Sequence, residues 1–453
     1  MQQIVITQRE FFSSQKTKDF NFRLKQLKIL ERVLKSNEQA LYDAIYQDFK
    51  KSEFETFTSE LALVYHDISD AKRNLKSWGS VKRVGTNFLN FPAKSYIIPE
   101  PLGVCLVIGA WNYPYQLSLA PVVAAIAAGN TVILKPSEVS SATSHIMANL
   151  IGKNFDPHFF AVVEGGVTET TELLKQNFDK IFFTGSTQVG RIVYQAAAKN
   201  LTPVTLELGG KSPAFITKDC HLKMTVKRLI WAKFLNAGQT CIAPDYVMVH
   251  TSKAQEFLEL AKVEILKEQF SFKNNNYVQI INDRNVERLF KMIHPDKVFF
   301  GGKIDVKNRY IEPTLLHNIT FDDAVMQEEI FGPILPILTY DSLKSAIEQV
   351  NALPKPLSCY VFTKNKKDKQ KILNQISFGG GAVNDAVMHI TNTNLPFGGV
   401  GSSGIGNYHG EAGFKCFTHF KSVLDKPTWI ELPLKYFPHT PFKLTWIKRF
   451  MKF

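Results

Sequence analysis

Five cysteines in 453 residues, at 105, 220, 241, 359 and 416, form no Cys-x-x-Cys pair and no cluster. An odd, scattered set of this kind argues against a disulfide framework and against a zinc site. Long apolar runs are missing too. The longest, Leu117 to Gly129, is about 13 residues and holds Ser118 and Pro121, against roughly 18 needed to span a bilayer. Met1 to Lys16 lacks the basic-then-apolar order of a secretory signal, so a cytoplasmic location is expected. Internal repeats and low-complexity tracts are absent.

Apolar residues at 45% and charged residues at 21% match a folded globular protein rather than a disordered or fibrous one. At roughly 150 residues per domain, the length predicts about three domains. The 54 basic and 41 acidic residues leave a net charge of +13, which admits an anionic partner without naming it: nucleic acid, a membrane surface or a phosphorylated cofactor.

From Asp19 to Lys76 the leucines and isoleucines recur at helical spacing, as in Leu24, Leu27, Leu30 and Leu34. Asn87 to Glu100 reads as an exposed strand or hairpin, an arm apart from the core. From 103 to 208, β-rich runs (Gly103–Ile108, Thr131–Leu134, Phe160–Val163, Lys180–Thr184) alternate with helical patterns. That alternation predicts parallel βαβ units, whose ligands bind beyond the carboxyl ends of the strands. A second α/β stretch follows Gly210, and glycines cluster at 379–381 and 398–406.

Cys241 follows the small, polar run Asn236-Ala237-Gly238-Gln239-Thr240, and pattern alone leaves it open between a packed small side chain and a nucleophile. Cys105, Cys359 and Cys416 sit in apolar, strand-like runs. Glu207 ends an apolar run before Gly209-Gly210, where burial would raise its pKa toward that of a base, although surface or ion-paired glutamates also occupy such ends. Gly185-Ser186-Thr187-Gln188-Val189 opens a helix after a strand, so its N–H groups and helix dipole could face a phosphate. Lys135 and Glu138 offer a cation and a carboxylate at another strand end. Gly399-Val400-Gly401-Ser402-Ser403-Gly404 has the GxGxxG form but no preceding strand, so it reads as a tight crossing and not as a dinucleotide site.

These pieces in this order resemble the aldehyde dehydrogenase superfamily over nearly the whole chain. The motifs are Trp111-Asn112-Tyr113-Pro114, Lys135-Pro136-Ser137-Glu138, Phe183-Thr184-Gly185-Ser186-Thr187, Leu206-Glu207-Leu208-Gly209-Gly210-Lys211-Ser212-Pro213, Gly238-Gln239-Thr240-Cys241, Glu328-Glu329-Ile330-Phe331-Gly332-Pro333 and Leu395-Pro396-Phe397-Gly398-Gly399. Tyr113, Val383-Asn384-Asp385 and Asn407-Tyr408-His409-Gly410 are similar to the class 3 branch, which includes fatty aldehyde dehydrogenases.

The resemblance implies an α/β fold with a doubly wound, parallel-sheet cofactor domain (1–86, 101–208 and 400–413), an α/β catalytic domain (209–399) and a small bridging or oligomerisation element (87–100 and 414–430, with Phe414 to Leu424 strand-like). It implies NAD or NADP as cofactor, no metal, an aldehyde substrate, a homodimer and no nucleic-acid partner. By position, Cys241 is the nucleophile, Glu207 the base and Asn112 the oxyanion donor. Trp111, Lys135, Glu138, Gly185, Ser186, Val189, Glu329 and Phe331 would hold the cofactor, and Tyr113 and Phe397 would line the substrate pocket. A semialdehyde-specific or coenzyme A-acylating dehydrogenase is the alternative enzyme, and a membrane-associated scaffold the alternative without chemistry.

Residues 431–453 form a basic tail. On a helix opened by Thr440 and Pro441, the apolar positions 444, 446, 447, 450, 451 and 453 share one half of the wheel, opposite 445, 448, 449 and 452, with Lys443 the exception. Such a helix suits peripheral contact at the inner face of a membrane, or docking on protein.

Overall fold

The computed structural model describes residues 1–451. Five parallel strands lie side by side in the order Phe160–Val162, Thr131–Lys135, Val104–Ile108, Lys180–Thr184 and Val204–Glu207, and Gly404–Ile405 closes the last edge antiparallel. Nearly every residue of these strands is buried, because helices cover both faces of the sheet and leave no room for polar alternation. Side chains alternate between two cores all the same. Cys105 and Val107 join the main core, while Val104, Leu106 and Ile108 face a second, smaller one.

The chain enters this sheet at Val104–Ile108, moves outward to Phe160–Val162 and then returns to Lys180–Thr184 on the other side. Strand order therefore reverses between Val104–Ile108 and Lys180–Thr184, and that switch point is where such sheets bind ligands.

The second sheet has seven strands: Val298–Phe300, Thr314–Leu316, Ile334–Tyr340, Tyr246–His250, Pro213–Ile216, Ser358–Phe362 and Gly380–Val383, parallel except at the first pair. The N-terminal helices Phe20–Lys35, Glu38–Phe49 and Ala62–Gly79 pack on the first sheet's helices. Leu27, Leu30 and Leu34 are buried as their spacing predicts, and Ala62–Gly79 runs against Pro114–Ala128. Between the short helix Glu53–Thr56 and Ala62–Gly79 the chain makes a π-turn, Phe57–Leu61.

Lys82–Val84, Lys94–Pro101 and Thr418–Asp425 form a separate antiparallel sheet, with Thr418 opposite Pro101 and Asp425 opposite Lys94. The strand of the arm begins only at Lys94, since Phe88–Asn90 is a 3-10 turn that exposes Phe88, Leu89 and Phe91. Phe414 and Cys416 are likewise not in a strand. They belong to the helix Gly410–Cys416, whose Phe414 is buried against Trp78 with ring centroids 5.8 Å apart. A strand-like apolar run becomes a helix there because tertiary packing outweighs local preference.

The GxGxxG segment is a tight crossing, as read. A Cβ on Gly399 would stand 2.1 Å from the Ser403 carbonyl oxygen, and one on Gly404 2.5 Å from that of Leu206. The tail forms the helix Pro441–Phe450, with the Thr440 hydroxyl accepting from the Lys443 N–H. Lys443, which falls on the apolar half of the wheel, has its ammonium donating to the Tyr436 and Pro438 carbonyls at 2.8 and 3.0 Å. No residue of this helix is buried. Positions 452 and 453 lie outside the described residues. Among those described, no helix is long and apolar enough to cross a membrane.

Candidate active site

The helix Leu222–Phe234 ends in a turn where three successive residues are left-handed: Asn236 (φ 55°), Ala237 (φ 51°) and Gly238 (φ 71°). Left-handed backbone costs a residue with a Cβ about 1–2 kcal/mol, so the turn must be held from outside. Glu55 Oε1 accepts from the Asn236 N–H at 2.8 Å, and Asn236 Nδ2 donates to the carbonyls of Asn112 (2.9 Å) and Gln239 (3.1 Å). Gln239 Oε1 accepts from the Ile281 N–H at 2.9 Å. At Gly238 a Cβ would come within 2.3 Å of the Gly332 carbonyl oxygen, which restricts the position to glycine. This clamped turn presents Cys241, half-buried, at the wall of a cavity with about 870 Å³ of empty space including its mouth.

Asn112 reaches the same place from the carboxyl end of Val104–Ile108. Its Nδ2 donates to the Gln239 carbonyl at 3.0 Å, which uses one of its two amide hydrogens. Tyr113 follows, with its hydroxyl 2.6 Å from Thr240 Oγ1. Tyr113 and Phe397 both line the cavity. Trp231, Met388, Thr58 and Ser59 line it as well and were not singled out in the sequence. They come from segments far apart in the chain, and only the exposed, apolar Trp231 on a helix face gave any local sign of a pocket wall.

Two carboxylates complete the surroundings of the thiol. Glu207 ends its strand 3% exposed with neither oxygen hydrogen-bonded, and burial pushes its pKa well above the carboxylate range. Burial and then the Asp245 charge raise Glu329 to about 8. Burial first, then the charges of Glu329 and Glu207, push the Cys241 thiol up to about 12. Lys233, buried with its ammonium unpaired, is lowered by burial to about 8 beside Asp245 and Glu329.

The remaining expected positions lie around the switch point. Trp111 and Phe331 meet edge to face, 5.4 Å between centroids, and Phe331 takes φ 47°. Arg288 fixes that loop by donating to the carbonyls of Glu329 (3.3 Å) and Ile330 (2.7 Å). Ser186 caps the helix Thr187–Ala198, its hydroxyl accepting from the Val189 N–H at 3.3 Å, and the Gly185 N–H donates to the Glu207 carbonyl at 3.0 Å. Lys135 is buried at the end of its strand, with Nζ donating to the Pro136 carbonyl (2.7 Å) and to Glu138 (3.2 Å).

These residues suit a dinucleotide. A helix N-terminus with exposed Ser186 and Val189 faces outward at strand ends, as a pyrophosphate requires, while Glu138 is exposed beside Lys135 at the end of the strand Thr131–Lys135. Among the described residues, no three His, Cys, Asp or Glu side chains stand together as a metal site.

The model of the Aldehyde dehydrogenase family matches residues 2–423. The chain is 45% identical over 449 residues to the 4,4'-diaponeurosporen-aldehyde dehydrogenase of Staphylococcus aureus, covering 98% of this chain and 97% of that one. It is 46% identical over 421 residues to the dimeric, NADP-preferring aldehyde dehydrogenase of Rattus norvegicus, covering 92% and 93%. A solved structure, a substrate-bound state of Staphylococcus aureus AldH, superposes with a TM-score of 0.97 at 44% identity and 99% coverage of each chain.

Proposed function

The chain belongs to the aldehyde dehydrogenase family, enzymes that oxidise aldehydes with NAD or NADP, and on that premise we propose that it converts an apolar aldehyde to the carboxylic acid through a thioester on Cys241. The Cys241 sulfur gives up its proton to solvent and adds to the carbonyl carbon, while Glu207, whose raised pKa favours proton uptake, is kept for the later water step. The carbonyl oxygen, now an anion, is held by the second amide hydrogen of Asn112 and the Cys241 N–H, and each such donor stabilises a comparable transition state by about 3 kcal/mol. Glu329 and Phe331 would hold the nicotinamide end of the cofactor, which would supply a hydride acceptor for this carbon. Glu207 then draws a proton from water as its oxygen attacks the thioester carbon, and the acid departs with the thiol restored. Trp111, Lys135, Glu138, Gly185, Ser186, Val189, Glu329 and Phe331 are the residues proposed to hold the cofactor.

The substrate class rests on one observation: the cavity beside Cys241 is lined by Leu117, Trp231, Met388 and Phe397 among others and, among the described residues, by no Lys or Arg. The second carboxylate of a semialdehyde would find no cation there, whereas a medium- or long-chain aliphatic or an aromatic aldehyde buries its apolar surface. The Staphylococcus aureus relative, named for 4,4'-diaponeurosporen-aldehyde, accords with an apolar substrate. Following cofactor reduction across aldehydes of graded length tests this. kcat/KM should rise by up to about fourfold per added CH₂ from propanal to octanal, and Cys241→Ala should abolish turnover while still binding cofactor. A preference for succinate semialdehyde over octanal, or turnover surviving in Cys241→Ala, would overturn the reading.

The same reading includes a homodimer through the bridging element (87–100 and 414–430), the cofactor and catalytic domain limits given above, and peripheral lipid contact through the tail. The exposed Phe442, Leu444, Trp446 and Phe450 beside Lys448 and Arg449 support the last of these.

A further inference from the structure

Behind the cavity wall lies a cluster of charges that the chemistry above does not use. Lys51 Nζ and Glu60 Oε1 are 2.7 Å apart with both side chains fully buried. The other oxygen of Glu60 accepts from the Tyr115 N–H at 2.8 Å and the Gln116 N–H at 3.4 Å, the first turn of the helix Pro114–Ala128. Lys51 Nζ sits 4.1 Å from the centre of the Tyr113 ring. Glu55, from the same short stretch of chain, accepts from the Asn236 N–H at 2.8 Å.

We propose that the Lys51–Glu60 pair, with Glu55, is a positioning unit for the oxyanion site, setting the distance between the Asn112 amide and the Cys241 N–H. The two donors come from different sheets, and the pair touches both of their supports. On one side Glu60 fixes the helix start that follows Asn112, and Lys51 lies over the ring of Tyr113. On the other, the Tyr113 hydroxyl meets Thr240 at 2.6 Å and Glu55 holds the left-handed turn that leads to Cys241. The π-turn Phe57–Leu61 makes this possible, since Ser59 lines the cavity while its neighbour Glu60 points into the interior. Single π-turns are rare in helices and concentrate at functional sites. A buried ion pair adds little stability over apolar groups of the same size, so its contribution lies in fixed geometry. A donor misplaced by about 1 Å can cost a hundredfold in rate.

The inference rests on the thiol reading above, and the test separates the two. In Lys51→Met/Glu60→Gln both charges are removed together, which spares the fold the burden of an unpaired buried charge. Titration with NADH counts the folded sites, and kcat is expressed per binding site. The expected result is a ten- to hundredfold lower kcat per site, with KM for octanal and the NADH Kd changed less than about threefold. A purely structural pair would lower the number of binding sites and the melting temperature while leaving kcat per site unchanged, and that result would overturn the positioning role. Cys241→Ala is measured alongside. Turnover surviving there overturns the thiol reading and this inference with it, whereas an inactive Cys241→Ala with undiminished kcat per site in the double variant overturns the positioning role alone.

Discussion

Burial and the charges of Glu329 and Glu207 hold the Cys241 thiol protonated up to about pH 12, whereas an unperturbed cysteine titrates near 8.5. Its alkylation by iodoacetamide in the cofactor-free protein should therefore keep climbing, about tenfold per pH unit, through pH 10. A plateau near pH 9 would contradict this environment. Glu329, raised to about 8, opposes the thiolate only once it is itself ionised. Glu329→Gln should then speed alkylation above pH 8 and leave it unchanged at pH 6.5, and acceleration at both would put the carboxylate elsewhere. At this scale the sequence was partly legible. Cys241 and Glu207 were each ambiguous alone and became specific only through the order of the surrounding motifs. Ser59 and Met388 gave no such sign, because a pocket wall assembled from distant segments leaves no spacing to read. The Lys51–Glu60 pair was hidden for a related reason: a lysine and a glutamate nine apart look like solvated helix faces until a π-turn rotates one inward.

Among the elements, the strap from Val387 to His409 carries Phe397 between two imidazoles, His389 at 6.1 Å and His409 at 5.3 Å, both nearly parallel to it. Burial lowers both histidines to about 4, with the His389 charge adding to the effect on His409. A folded pKa below the unfolded value of about 6.5 means that their contribution to stability is full above pH 6.5 and is lost as pH falls toward 4. The loss is roughly 3 kcal/mol per histidine at most, by the size of the shift. The melting temperature should drop between pH 7 and pH 4.5, and His389→Phe, which keeps the stack, should flatten that slope. An unchanged slope would contradict the assignment. The strands Val104–Ile108, Thr131–Lys135 and Lys180–Thr184 were legible because fully buried parallel strands are continuous apolar runs between turn signals. The helix Gly410–Cys416 was not, since seven residues with a central phenylalanine carry no helical period and take their form from Trp78 and the helix Pro114–Ala128.

For the whole molecule, an active site between two sheets and an uncovered aromatic tail point in different directions, one to chemistry and one to location. The tail helix has no buried residue, although Phe450 meets Phe88 of the arm at 6.0 Å. Deleting 432–453 should abolish co-sedimentation with anionic liposomes and leave octanal oxidation intact; equal sedimentation of both forms, or none by the full chain, would dismiss lipid contact. The covalent step is checked by peptide mass spectrometry of Glu207→Gln quenched after mixing with octanal and NAD. The account predicts that the peptide carrying Cys241 gains the mass of octanal less two hydrogens, a thioester that cannot be hydrolysed. An unmodified Cys241 peptide after cofactor reduction, or the same adduct on another residue, would contradict it.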